Sequence, residues 1–206
     1  MKNSIIFDLD GTLLDTSPGI FASIRHAAGI MNLGEINNIE KFIGPPIEWS
    51  AAELLKLNED GCAEFVGLFR EVYKNTHLLN AVIYPGIVEL LEKLSADKFK
   101  CAVATYKRHD YADEIIERFG LSKFFACVCG SSPGTTKALL IEKCLRQLDS
   151  SPENAIYIGD TQLDREAANE AGVEFCGITW GFGYKEGEMP FDNTHKLYEY
   201  IAPRRN

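Results

Sequence analysis

Five short apolar runs, at 5–8, 101–105, 125–130, 155–160 and 174–179, carry hydrophobic residues on consecutive positions and end in polar or glycine residues. Consecutive rather than alternating apolar residues predict strands covered on both faces, as in a parallel sheet. The stretches between them follow a helical period. Val88, Leu90, Leu91 and Leu94 make one stripe, Ile115, Ile116 and Phe119 a second, and Leu139, Leu140, Cys144, Leu145 and Leu148 a third. A fourth helix is predicted from Arg165 to Ala171, with Gly172 as its stop. Strand alternating with helix predicts right-handed crossovers and an α/β class: a doubly wound, Rossmann-like parallel sheet.

One interval breaks the alternation. From Thr16 to Val82 the pattern is helical, opening with Ser17 as N-cap and Pro18 at the first helical position, and continuing with helices at 51–57 and 62–73. Gly44-Pro45-Pro46 punctuates it, and Tyr84-Pro85-Gly86 marks the return to the strand–helix pattern. These helices could pad the core. A separate inserted helical domain over 16–82, in a core made of 1–15 and 83–206, is preferred, because the segment enters and leaves between the first two strands with enough apolar residues for a small bundle.

Composition narrows the function. The 206 residues are 46% hydrophobic and 25% charged, with a formal charge of −9. That is ordinary globular usage, and a chain of this length needs no disulfide or structural zinc to hold a core. No basic run interrupts the acidity, so neither nucleic acid nor an anionic membrane is expected as partner. The start, MKNSIIFDLD, has an apolar run of only three residues before Asp8 and reads as neither a secretory signal nor a span; a cytoplasmic location is expected. The six cysteines show no CxxC spacing and are expected as buried thiols. Cys127 and Cys129 share one face of a predicted strand, but two soft ligands make no metal site. The four histidines have no ligand spacing, and Gly181-Phe182-Gly183 does not match a dinucleotide fingerprint, so it is expected as a loop lining a basin.

In an open α/β sheet, ligands bind beyond the carboxyl ends of the strands. Those ends carry Asp8-Leu9-Asp10-Gly11-Thr12, Thr105-Tyr106-Lys107, Gly130-Ser131, Gly159-Asp160 and Thr179-Trp180-Gly181. Two groups of carboxylates would share one basin, where repulsion raises their pKa values or calls for a cation. Oxygen donors at that density suit a hard ion such as Mg²⁺.

These residues, Asp8-Leu9-Asp10-Gly11-Thr12-Leu13 with Thr105, Lys137 and Gly159-Asp160-x-x-x-Asp164, resemble the haloacid dehalogenase superfamily of aspartyl-phosphate-forming enzymes. The resemblance covers essentially the whole chain, includes the order of the four motifs and a helical cap after the first, and leans to the phosphoglycolate phosphatase-like or nucleotidase-like branch. It implies a Mg²⁺-dependent phosphatase acting on a small phosphorylated metabolite. Asp8 would be the nucleophile and Asp10 the acid/base, with Gly11 letting the backbone approach the phosphate. Thr105 and the Tyr106 N–H would bind phosphoryl oxygens, and Lys137 would offset the repulsion between phosphate and Asp8. Asp8, Asp160 and the main-chain carbonyl of Asp10 would hold the metal, with Asp164 behind them orienting Asp160 or a metal-bound water. Asp164 alone reads equally as an acid favoured by a helix N-terminus.

Two positions depart from many relatives: Tyr106 stands where Asn is usual and Ala138 where Pro is usual, which leaves Lys107 or Arg108 open as phosphate contacts. A dehalogenase is disfavoured, since that chemistry needs neither Asp10 nor the metal carboxylates. A sugar phosphomutase, a 5'-nucleotidase and a pyrophosphatase stay open within the superfamily. A non-catalytic phospho-acceptor is the rival from another class, disfavoured because Asp8 and Asp10 share one strand end. The specificity residues are expected near 42–49, and the oligomeric state is left open.

Overall fold

The computed structural model describes residues 2–205. They divide into two compact units, 2–15 with 83–205, and 16–82.

The first unit is built on a five-stranded parallel sheet. Its strands are β1 (Ser4–Phe7), β4 (Lys100–Arg108), β5 (Phe125–Ser131), β6 (Ala155–Gly159) and β7 (Glu174–Gly177), in the order β5-β4-β1-β6-β7. Two short strands, β2 (Leu14–Asp15) and β3 (Val82–Ile83), form a separate ribbon. The expected doubly wound α/β class is the one adopted, with each predicted apolar run found in its strand.

The helices follow from the crossover directions. Helices α4 (Ile87–Ala96) and α5 (His109–Arg118) lead leftward to β4 and β5, and α6 (Lys137–Leu148) and α7 (Gln162–Glu170) lead rightward to β6 and β7. Right-handed crossovers therefore put the two pairs on opposite faces. The pleat agrees: Ile6, Ala102, Ala104, Cys129 and Tyr157 pack with Ala138, Leu140, Ile141, Cys144 and Leu145 of α6 and with Ala167 and Ala168 of α7. Helix α8 (Thr194–Ile201) packs beside α4.

The details correct several boundaries. Strand β4 runs three residues past Thr105 through a register shift, so Thr105 lies inside the strand. Strand β7 stops at Gly177, and Ile178 continues only as a single bridge to Phe191. Helix α7 starts at Gln162, three residues before Arg165, because Thr161 and Asp164 close a capping box; Gly172, at φ +69, follows its end. Leu139 is exposed, and Lys137, Ala138 and Ile141 line the buried side of α6 with Leu140, Cys144, Leu145 and Leu148.

The second unit is helical: α1 (Ser17–Ile30), α2 (Ile47–Glu53) and α3 (Glu59–Val72), the last continuing into a π-helical turn at Tyr73–His77. The N-cap of α1 is Thr16, one residue before the expected Ser17, which places Pro18 second in the helix. Ile20 and Ile24 of α1, Phe65 and Phe69 of α3, and Tyr73 are buried in this unit, with the Phe69 and Tyr73 rings stacked at 5.3 Å. Among the described residues, no helix is long and apolar enough to cross a membrane.

Candidate active site

The sheet reverses its winding between β1 and β6, so the carboxyl ends of those two strands flank the point where chain connections diverge and leave a crevice. Asp8 follows β1 and Asp160 follows β6; both are buried. The loop after Asp8 doubles back at once, with the N–H groups of Thr12, Leu13 and Leu14 all donating to the Leu9 carbonyl. That loop touches Asp160 at two places. Gly11 sits at φ +84, and a Cβ there would come within 2.5 Å of an Asp160 carboxylate oxygen. Thr12 Oγ1 donates to Asp160 Oδ1 at 3.2 Å. From the other side, the Phe182 N–H donates to Asp160 Oδ2 at 2.7 Å. The 181–183 loop therefore lies against this carboxylate, and Trp180 Nε1 ties it to the Thr12 carbonyl at 3.1 Å.

Behind Asp8 lies a buried ion-pair network. Lys137, the first residue of α6, sends its ammonium 2.5 Å from Asp164 Oδ1 and 3.1 Å from Asp8 Oδ1. Asp164 has both oxygens occupied. Its Oδ1 also lies 3.1 Å from the Tyr157 hydroxyl, whose single hydrogen is shared between this oxygen and the Ala104 carbonyl at 3.0 Å. Its Oδ2 accepts from the N–H and the hydroxyl of Thr161. Asp164 thus caps α7, as an acid at a helix N-terminus would, and also anchors Lys137, a role the sequence did not offer. The carboxylate fits only because residue 159 is glycine; a Cβ there would fall 2.5 Å from Asp164 Cγ.

The third contribution comes from β4. Thr105 pairs with Gly130 and Arg108 with Ser131, leaving Tyr106 and Lys107 as an irregularity in the ladder. Such bulges re-aim side chains. Lys107 turns inward to an ion pair with Asp10 at 3.1 Å, nearly buried, while the Tyr106 ring lies 5.5 Å from the Lys137 ammonium. Thr105 is buried, and its hydroxyl oxygen accepts the Lys107 N–H at 3.2 Å. Arg108 instead points to the surface, pairing with Asp110 and stacking over Tyr111. Of the two basic residues left open by the sequence, Lys107 is the one in the site.

The electrostatics follow from burial and from the crowding of like charges. Burial pushes Asp8 up to about 8; Lys137 pulls the other way, and the charges of Asp164, Asp160 and Asp10 add to the rise. Burial and then the Asp164 charge lift Asp160 to about 7, against the Phe182 N–H, Lys137 and Thr12. Burial works against the Lys137 charge too, but Asp164 and Asp8 override it and hold the ammonium above its ordinary value. Carboxylate oxygens of Asp8, Asp160 and Asp164 lie within 4.8 Å of one another, and Asp8 Oδ1, although at ion-pair distance from Lys137, makes no hydrogen bond. A buried oxygen with an ion pair but no hydrogen bond, beside a second carboxylate, fits a hard divalent cation. Asp8 and Asp160 are the donors with capacity to bind it, whereas Asp164 is already engaged. The Asp10 carboxylate is outside this cluster, on Lys107.

Sequence reasoning missed Thr12, Tyr157 and Thr161. Tyr157 did leave a signal: a phenol in the middle of an otherwise apolar buried strand must find a hydrogen-bond partner.

The chain matches the haloacid dehalogenase-like hydrolase family over residues 5–178. It is 32% identical over 207 residues to a 5'-nucleotidase of Pseudomonas aeruginosa, covering 98% of this chain and 94% of that one. It is 30% identical to a phosphoglycolate phosphatase of Aquifex aeolicus, with coverage of 90% and 89%. Among solved structures, a haloacid dehalogenase-like hydrolase from Streptococcus pneumoniae superposes with a TM-score of 0.89 at 32% identity, covering 97% and 98% of the two chains.

Proposed function

The chain belongs to the haloacid dehalogenase-like hydrolase family, and from that premise we propose that it is a Mg²⁺-dependent phosphatase that hydrolyses a small phosphomonoester through an aspartyl-phosphate on Asp8. One observation carries the reading: the buried Asp8 carboxylate has an oxygen without a hydrogen bond, flanked by the Lys137 ammonium and the Asp160 carboxylate. A nucleophile must keep a lone pair uncommitted, and here the neighbouring charges are those that would screen an incoming phosphate.

Asp8 attacks phosphorus, forming an acyl phosphate as the bond to the leaving oxygen breaks. Asp10 gives that oxygen its proton, then takes one from the water that attacks the acyl phosphate, releasing Asp8 and inorganic phosphate. Thr105, whose oxygen already accepts from Lys107, offers its hydrogen to a phosphoryl oxygen. Lys137, anchored by Asp164, faces the charge that builds between phosphate and Asp8. Lys107 holds the Asp10 carboxylate in place. A Mg²⁺ ion held by Asp8 and Asp160, with the Asp10 main-chain carbonyl, would supply positive charge to the phosphoryl oxygens. The helical insertion, entering the chain just after Asp8 and Asp10, is read as the cap that chooses the substrate, with 42–49 as the first segment to vary.

Phosphoglycolate is the first substrate to test, and the likeness to a 5'-nucleotidase over nearly the full chain favours nucleoside 5'-monophosphates as the second reading. The test is hydrolysis of an aryl phosphate with and without Mg²⁺, followed by a panel of phosphoglycolate, nucleoside monophosphates, sugar phosphates and pyrophosphate. Turnover is expected only with the metal. Asp8→Asn should fold normally and lose turnover; metal-independent hydrolysis, or full activity in Asp8→Asn, overturns the mechanism.

A further inference from the structure

A second cluster of ligating side chains lies in the layer between β5 and α6, and the reaction assigned to Asp8 makes no use of it. Cys127 and Cys129 project from the same face of β5, since residues two apart share a face. Helix α6 brings a third thiol, Cys144, to the same place, and the three sulfurs lie within 4.8 Å of one another. Cys129 and Cys144 are fully buried and Cys127 half-buried, so the group has one side open for entry. A fourth donor is at hand: Gln147, one turn on along α6, places its Oε1 3.9 Å from the Cys129 sulfur.

We propose that Cys127, Cys129 and Cys144 form a binding site for a soft divalent metal ion of the zinc class, with the side-chain oxygen of Gln147 completing a four-coordinate set.

The geometry is close to what such an ion needs. With metal–sulfur bonds of about 2.3 Å, tetrahedral angles set the sulfurs about 3.8 Å apart, within reach of small side-chain movements. Thiolate donors select soft or borderline ions over Mg²⁺, which keeps this site chemically distinct from the carboxylates of Asp8 and Asp160. Charge favours a divalent ion: three thiolates with a dication leave one net negative charge where a monovalent ion would leave two. Binding forms the sulfur–metal bonds, releases the thiol protons to solvent and changes no oxidation state. The ion would bind β5 to α6, the helix whose first residue is Lys137.

The experiment uses the reduced full-length protein with saturating Mg²⁺, titrated with Cd²⁺ as a spectroscopic probe and then with Zn²⁺ in competition. One equivalent of Cd²⁺ should produce a thiolate-to-metal charge-transfer band that Zn²⁺ removes. Cys127→Ser, at the half-buried position that tolerates change best, should weaken Cd²⁺ binding by at least about tenfold. Cys62→Ser, in the other unit, should leave binding unchanged. Absence of the band with excess Cd²⁺, or a band of undiminished affinity in both Cys127→Ser and Cys129→Ser, overturns the site.

Discussion

Asp164 shows how much one buried side chain can settle. Its two oxygens cap α7 through Thr161, take the Tyr157 hydroxyl and hold the Lys137 ammonium that faces Asp8. An amide in its place would turn an N–H₂ group towards one of these donors and leave Lys137 with a weaker anchor. Asp164→Asn is therefore expected to destabilise the fold by about 3 kcal/mol in urea unfolding, in the range for breaking a buried ion pair, and to lower kcat. Tyr157→Phe, which removes one donor and leaves the charges in place, should cost only about 1 kcal/mol. Similar losses in the two variants would mean that the ion pair contributes nothing beyond a hydrogen bond. The strand-end rule could reach Asp8, Asp10, Thr105 and Asp160 in the sequence, because each is a polar residue at or near the close of an apolar run. It listed Thr12 without a role and passed over Tyr157: a buried phenol shows locally that it needs a partner, but which partner each hydroxyl meets is set only when the fold brings up Asp160 and Asp164.

At the scale of elements, the site depends on where strands stop and helices start. Residues 106–107 were expected beyond the end of a strand, but β4 continues through them with a register shift. The shift turns Lys107 inward onto Asp10 and leaves Arg108 outside, a choice that charge and spacing in the sequence left open because both residues are basic and adjacent. Lys107→Met keeps the length and apolar stem of the side chain but removes its charge. Its expected effect is a fall in kcat of about tenfold or more with little change in KM, since Lys107 acts on Asp10 rather than on the phosphate. A rise in KM at unchanged kcat would instead make Lys107 a substrate contact. The early start of α7 has a local origin, since Thr161-x-x-Asp164 is a capping box legible in sequence, but only the fold shows that the same Asp also holds Lys137.

For the whole molecule, the buried carboxylates make stability depend on pH and metal. A carboxyl group whose pKa is raised on folding keeps its proton in the folded chain where the unfolded chain has lost it. Its folded form is thus favoured most below the unfolded value near 4 and loses that advantage as pH rises through the folded value. With Asp160 raised to about 7 and Asp8 to about 8, the metal-free protein should lose thermal stability between about pH 4 and pH 8. Mg²⁺ should restore it, with a larger rise in Tm at pH 8 than at pH 5, because protons and metal compete for the same oxygens. A Tm that ignores Mg²⁺ at pH 8 would count against Asp8 and Asp160 as its ligands. The α/β class, the helical character of 16–82 and the strand ends where the acidic residues gather are legible along the chain, because apolar periodicity and polar punctuation are local properties. That Lys137 bridges Asp8 and Asp164, that Lys107 rather than Arg108 meets Asp10, and that Cys144 joins Cys127 and Cys129 came from the fold. Each of those contacts spans elements far apart in sequence, and their meeting is set by sheet order, register and helix packing.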